Sequence, residues 1–193
     1  MDETQALREL LWMLVTDPKT GALIALLLIA AVIDWKTLRI PNWLTVGGMV
    51  YGLLYNATHA TSIGAGLGFA VLGLATGLAL LLPLWLLRVL GAGDVKLMGA
   101  IGAFLGAQAM PLAVVFVLAT GGIAAVLFAL SRRALVPFLL NLRFVTWSLL
   151  TPGSGAWRPS AAASMPSIGK LPYGVSICAG GIAFLVARQL GFA

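Results

Sequence analysis

Charged residues are scarce in this sequence, and acidic residues are the scarcest of them. Only 9% of the 193 residues are charged, whereas 61% are hydrophobic. Such a chain has too little polar surface to cover a soluble globule, which excludes an ordinary soluble domain. Of the six acidic residues, only Asp34 and Asp94 lie beyond Asp17. We therefore expect an integral membrane protein in which these two carboxylates serve a specific purpose.

The sequence also lacks a second cysteine. Cys178 is its single cysteine and lies within an apolar run, which excludes an intrachain disulfide and any CxxC metal or redox motif. We predict no metal site and no cofactor, and we interpret Cys178 as a helix-packing residue. Because the chain begins with Asp2, Glu3 and Glu9 rather than a basic stretch, we do not expect a cleavable signal peptide.

Apolar runs predict an all-α membrane protein with about six spanning helices in one domain over residues 1–193. The predicted spans are approximately 20–33, 43–56, 63–87, 94–106, 110–130 and 173–190. Asn42 is predicted to cap the second of them. Residues 1–16 suggest a short interfacial helix, and residues 131–170 a cytoplasmic loop. Within that loop, the segment 134–150 either spans the membrane or lies on it, and we favour a surface amphipathic helix.

The basic residues orient these helices. The net charge of +6 comes from single, scattered residues rather than a patch, which argues against nucleic-acid binding. Short cytoplasmic loops carry the excess of lysine and arginine. With an outside N-terminus, nine basic residues face the cytoplasm: Lys36, Arg39, Arg88, Lys96, Arg132, Arg133, Arg143, Arg158 and Lys170. Both termini are therefore predicted on the non-cytoplasmic side, with Asp34 and Asp94 at the cytoplasmic face.

Asp34 and Asp94 are candidate catalytic residues, because an ionised carboxylate at an apolar helix end costs a few kcal/mol. Two carboxylates that share one proton can act as base and acid, as in aspartic proteases. Such a pair requires the first and fourth helices to meet at their ends. A purely structural interpretation stays open, in which Asp94 caps a helix and Asp34 pairs with Lys36 or Arg39.

Two glycines, Gly91 and Gly93, precede Asp94. Without side chains, they permit positive φ and a close approach of a substrate backbone or a partner helix. The helix that follows would be only about 20 Å long, compared with roughly 30 Å for the hydrocarbon core. We therefore expect water to reach a site at this border of the membrane.

The residues around both aspartates resemble a known family. Asp34 is followed by LRIPNWLT at residues 38–45, and residues 91–97 read GAGDVKL. This pair of motifs is similar to that of the type IV prepilin peptidases, membrane aspartic proteases of the GxGD class. The segment KLPYG at residues 170–174, with Gly180, resembles the start of that family's final helix.

The resemblance implies that Asp34 and Asp94 form the catalytic dyad. Its substrate would be a prepilin or prepilin-like precursor, whose short basic leader is removed at the cytoplasmic face of the inner membrane. Membrane lipid would be the other partner, and the oligomeric state is not predicted. The motifs also indicate a set of substrate-binding or site-shaping residues: Gly91, Gly93, Lys96, Pro41, Asn42, Pro172, Tyr173 and Gly174.

One feature departs from the larger members of that family, which carry an insertion with two CxxC pairs and also N-methylate the new N-terminus. Here the turn between Asp34 and Asn42 has seven residues and no cysteine, so we do not expect methylation. The short form resembles peptidases for Flp/Tad-type pilins or for archaeal preflagellins, and we favour the Flp/Tad type.

Two other functions compete with proteolysis. A small proton- or ion-coupled transporter could use Asp34 and Asp94 as proton carriers or ion ligands at helix breaks. An assembly protein could keep the fold without catalysis. The position of both aspartates at one membrane face, without an evident inverted repeat, favours the peptidase.

Overall fold

The computed structural model describes residues 17–87, 89–132 and 172–192, together with Trp12, Leu139, Leu140, Arg143, Thr146 and Trp147. Within the three continuous ranges the chain forms helices and no strand, which confirms the all-α prediction. These helices are α1 Pro18–Thr37, α2 Asn42–His59, α3 Ile63–Leu86, α4 Ala92–Leu105, α5 Met110–Ser131 and α6 Tyr173–Gln189. The predicted helix 1–16 and the segment 134–150 lie almost entirely outside the described residues.

Three of the helices, α1, α3 and α5, are long and apolar enough to cross a membrane. Only 28%, 22% and 28% of their apolar windows, respectively, are buried inside the protein. Most of their apolar surface therefore faces outward, which is the arrangement expected when lipid rather than water surrounds the helices. The fold is that of a membrane protein.

The short helix α4 forms the centre of the bundle. Every residue from Leu97 to Leu105 is buried, and α2 and α3 pack directly against it. Gly73 of α3 and Gly102 of α4 bring the two backbones into contact, because neither has a side chain to separate them. This close packing leaves α4 enclosed by neighbouring helices although it is too short to span a bilayer by itself.

The helix ends next to the two aspartates differ from the sequence prediction. α1 continues for most of a turn beyond Asp34 and ends at Thr37. Its C-cap is Leu38, whose backbone is left-handed (φ 53°) and whose N–H donates to the Asp34 carbonyl. α4 begins at Ala92 rather than at Asp94, with Gly91 as its N-cap. In both cases the charged residue lies inside the first or last turn, because backbone hydrogen bonding, not the polarity of one side chain, ends a helix.

Candidate active site

Asp34 is a buried carboxylate in the last turn of α1, only 5% exposed. Its Oδ2 accepts a hydrogen bond of 2.7 Å from the backbone N–H of Gly174. Gly174 is the second residue of α6, and the N-cap of that helix, Pro172, provides no side-chain cap. The first N–H groups of a helix lack partners within the helix. Asp34 therefore caps α6 from a different helix.

Gly174 lets α6 approach this carboxylate closely. A Cβ atom at Gly174 would lie 2.9 Å from both Cβ and Oδ2 of Asp34, closer than ordinary van der Waals contact. Any side chain at this position would displace the Asp34 carboxylate or the start of α6.

Asp94 is the second buried carboxylate, 8% exposed, at the third position of α4. Its Oδ2 accepts a 3.0 Å bond from the Gly91 N–H, while its own N–H donates to the Gly91 carbonyl at 3.1 Å. The Asp94 side chain therefore caps the start of α4 through the Gly91 N–H, as the N3 carboxylate of a capping box does, so the structural role considered for Asp94 is real. Capping does not require burial, however, and the burial of this carboxylate calls for a further explanation.

The two carboxylates converge at one end of the bundle. Asp34 and Asp94 are close enough for their charges to act on each other, and α1 contacts α4. Tyr173, next to the residue that binds Asp34, is likewise within electrostatic range of Asp94. The first turn of α6 thus adjoins both aspartates. The geometry agrees with the expectation that the first and fourth helices meet at these ends.

The turn between α1 and α2 supports the start of α4. Gly93 lies against buried Ile40, because a Cβ atom at Gly93 would be 3.1 Å from the Ile40 Cβ and 3.3 Å from its carbonyl oxygen. The Gly-x-Gly segment is therefore packed against this turn, and neither Gly91 nor Gly93 has a positive φ. Sequence reasoning missed Ile40, and its one signal is its position immediately before Pro41.

Asn42 does not cap α2, contrary to the prediction. Pro41 is the N-cap, and its carbonyl accepts bonds from the Leu44 and Thr45 N–H groups at 3.2 and 3.4 Å. The Asn42 side chain instead accepts a 2.9 Å bond from Lys96 Nζ. Lys96 therefore links α4 to α2 through an exposed contact.

Tyr173 lies against the middle of α5. A Cβ atom at Gly121 would be 2.6 Å from Cζ of the Tyr173 ring, so the missing side chain at Gly121 makes the space that the ring occupies. Gly121 was not among the predicted site residues. Its only sequence signal is the Gly121–Gly122 pair within an apolar run.

Pro172 lines an apolar groove whose described walls include neither aspartate. The groove has a volume of about 360 Å³ and is formed by the end of α1, the last turns of α5 and the start of α6. Its walls include Trp35 and Lys36, which follow Asp34, and Val175, which follows Gly174. The groove is therefore bordered by residues that directly follow Asp34 on α1 and Gly174 on α6.

Comparisons with known proteins point in the same direction as these motifs. Residues 21–128 match the model of the type IV leader peptidase family, a stretch that contains both aspartates but not α6. The chain is similar to three proteins named prepilin leader peptidase/N-methyltransferase. That of Pectobacterium carotovorum subsp. carotovorum is 43% identical over 103 residues, covering 47% of this chain and 35% of the relative.

The second, from Klebsiella pneumoniae, is 44% identical over 103 residues, or 49% of this chain and 44% of the relative. The third, from Escherichia coli strain K12, is 32% identical over 152 residues, which cover 72% of this chain and 65% of the relative. The chain thus spans between 35% and 65% of the length of these relatives. No solved structure matches it.

Proposed function

This chain belongs to the type IV leader peptidase family, and we propose that it is a membrane aspartic endopeptidase acting on prepilin-like precursors. The substrate class follows from the name of its relatives, prepilin leader peptidase. Asp34 and Asp94 are the catalytic residues. The observation that carries the proposal is the convergence of these two buried carboxylates beside the first turn of α6.

The chemistry follows from a shared proton. One carboxylate removes a proton from a water molecule, whose oxygen attacks the carbonyl carbon of the scissile peptide bond. The other carboxyl then gives its proton to the leaving nitrogen as the C–N bond breaks. The Gly174 and Gly91 N–H groups each bind Oδ2 of one aspartate, which holds both carboxylates in place and leaves their Oδ1 atoms to bind the water.

The basic residues support a cytoplasmic site in the inner membrane. Four of them lie at the end of the bundle that carries the aspartates: Lys36, Arg39, Lys96 and Arg132. By the positive-inside rule this end faces the cytoplasm. The protein would then be a single multi-pass domain with about six spans, both termini on the opposite side, and a cytoplasmic loop over residues 131–170.

We further propose cleavage without N-methylation, on pilins of the Flp/Tad type. Only residues 38–41 connect α1 to α2, so this connection carries no cysteine-rich insertion of the kind expected in methylating members. The relatives are named as both peptidase and N-methyltransferase. A methylation assay on the cleaved product tests this part separately from cleavage.

Co-expression with a prepilin tests the peptidase directly, with leader removal followed as a gel shift. Asp34→Asn and Asp94→Asn should each abolish processing, because the Asn amide cannot act as the general acid or the general base. Asp17→Asn is the matched control, since it also removes one carboxylate but at the far end of α1, where Asn caps a helix equally well. Normal processing by either of the first two variants would refute the assigned pair.

A further inference from the structure

A polar cavity lies at the end of the bundle opposite the two aspartates, and the proposed peptidase reaction does not use it. It has a volume of about 360 Å³ and lies between the first turn of α1 and the last turns of α4 and α6. Asp17, Lys19, Thr20, Arg188 and Gln189 are the polar residues among its described walls. Asp34 lies about 25 Å from Asp17 along the axis of α1, at a rise of about 1.5 Å per residue.

Lys19 is held in a fixed position in this cavity. Its Nζ donates a 2.9 Å hydrogen bond to Oδ1 of Asn56 and lies 5.1 Å from the centre of the Phe69 ring. Asn56 is itself fixed, because its Nδ2 donates to the carbonyls of Gly52 and Ala103 at 2.8 and 2.9 Å. A lysine ammonium has three N–H donors, so the bond to Asn56 leaves two for a ligand.

Arg188 brings a second positive charge to the same cavity. It is exposed in the last turn of α6 and is close enough to Lys19 for the two charges to act on each other. The acidic residue among the described walls is Asp17, whose Oδ2 already accepts bonds from the N–H and Oγ1 of Thr20 at 3.1 and 2.6 Å. Lys19 and Arg188 carry two positive charges and Asp17 carries one negative charge, which also attracts Lys19. The described walls of the cavity therefore have a net positive charge.

From this arrangement we propose that the cavity binds a phosphate group between Lys19 and Arg188. A planar guanidinium binds phosphate through paired N–H donors, and an ammonium adds a point charge. α1, a candidate membrane span, begins at Pro18, so the cavity lies at the level where phospholipid headgroups are found. The phosphate could come from a phospholipid or from free phosphate. Either source would relieve the repulsion between Lys19 and Arg188 and link α1 to α6.

Lipid binding to the purified, delipidated full-length chain tests this site, with phosphatidylglycerol as the probe and native mass spectrometry as the readout. Arg188→Gln and Lys19→Gln should each weaken binding by about tenfold, the usual effect of losing one charged hydrogen bond. Lys36→Gln is the matched control, because it removes one exposed positive charge at the other end of α1 and should change binding less than twofold. Asp17→Asn should leave binding unchanged or tighten it.

Inorganic phosphate distinguishes the two sources. Displacement of the lipid by millimolar phosphate, or a higher melting temperature in phosphate without lipid, would identify the site as one for free phosphate. Lipid binding that phosphate does not displace would identify a headgroup site. Equal lipid binding by wild type and Arg188→Gln would overturn the proposal. Loss of lipid binding in Asp17→Asn would also overturn it, because that result indicates a cation site.

Because Arg188 is exposed, its replacement should leave the fold intact, which a thermal unfolding curve verifies.

Discussion

The carboxylate of Asp34 accepts a hydrogen bond from the backbone N–H of Gly174, which lies 140 residues later in the sequence. This bond ties the last turn of α1 to the first turn of α6, so the position of one candidate catalytic group depends on the placement of a distant helix. Asp94, in contrast, is fixed locally by the Gly91 N–H. Changes in the first turn of α6 should therefore affect activity without any change to the aspartates.

Gly174→Ala should reduce leader removal at least tenfold. The added Cβ would lie 2.9 Å from the Asp34 side chain, so the carboxylate must move, and small displacements of a catalytic group have large effects on rate. Gly122→Ala is the matched control, because a Cβ there meets nothing within 4 Å. The measurement is the rate of the gel shift in membranes that contain equal amounts of each variant. A Gly174→Ala variant with the wild-type rate would show that the bond to Asp34 is dispensable.

Gly102→Ala should lower the stability of the bundle by about 1–3 kcal/mol, the usual cost of overpacking a core. Gly102 and Gly73 meet backbone to backbone, so a methyl group at either position must push α3 and α4 apart. A thermal or denaturant unfolding series in detergent measures the change. Gly64→Ala provides the comparison, since its Cβ would point into open space and alanine favours the helix. Equal stability of these two variants would contradict the packing described for α3 and α4.

Lys96 and Asn42 should contribute to stability together and only weakly. Their 2.9 Å hydrogen bond is exposed, and such bonds contribute about 0.5–1.5 kcal/mol. A double-mutant cycle with Lys96→Met and Asn42→Ala should give a coupling energy in this range, and leader removal by Lys96→Met should stay within about threefold of wild type. A loss of activity beyond tenfold with normal stability would instead place Lys96 in contact with the substrate.

The helices could be predicted from the sequence within a few residues because most of the apolar runs end at a glycine or a basic residue. The ends next to Asp34 and Asp94 differ from the prediction, because a charged side chain marks a change of polarity and not the end of the helix. The helical hydrogen bonds of α1 continue to Leu38, and Asp94 caps α4 from inside its first turn. The sequence pattern shows where the polarity of the residues changes. The last helical hydrogen bond of α1 and the first of α4 depend instead on the backbone conformation of Leu38 and of Gly91, respectively.

The convergence of Asp34 and Asp94 at one end of the bundle could also be predicted, because loop charges orient both helices. Two hydrogen bonds could not be predicted from the sequence: the one from Gly174 to Asp34 and the one from Lys19 to Asn56. Each joins two helices through the packing of the whole bundle, and no spacing within one segment of sequence encodes it. The same holds for Gly121, whose role depends on the neighbouring ring of Tyr173.

Gly121→Ala should impair leader removal through Tyr173. The added methyl group would overlap the Tyr173 ring, and moving that ring shifts the adjacent Gly174 and with it Asp34. Tyr173→Phe keeps the ring and should retain at least about half of the activity. Combining the changes separates the causes: Tyr173→Ala removes the clash and should partly restore activity to Gly121→Ala if the ring transmits the effect. Equal activity of Gly121→Ala with and without Tyr173→Ala would show that Gly121 acts through α5 alone, because removing the ring would then relieve nothing.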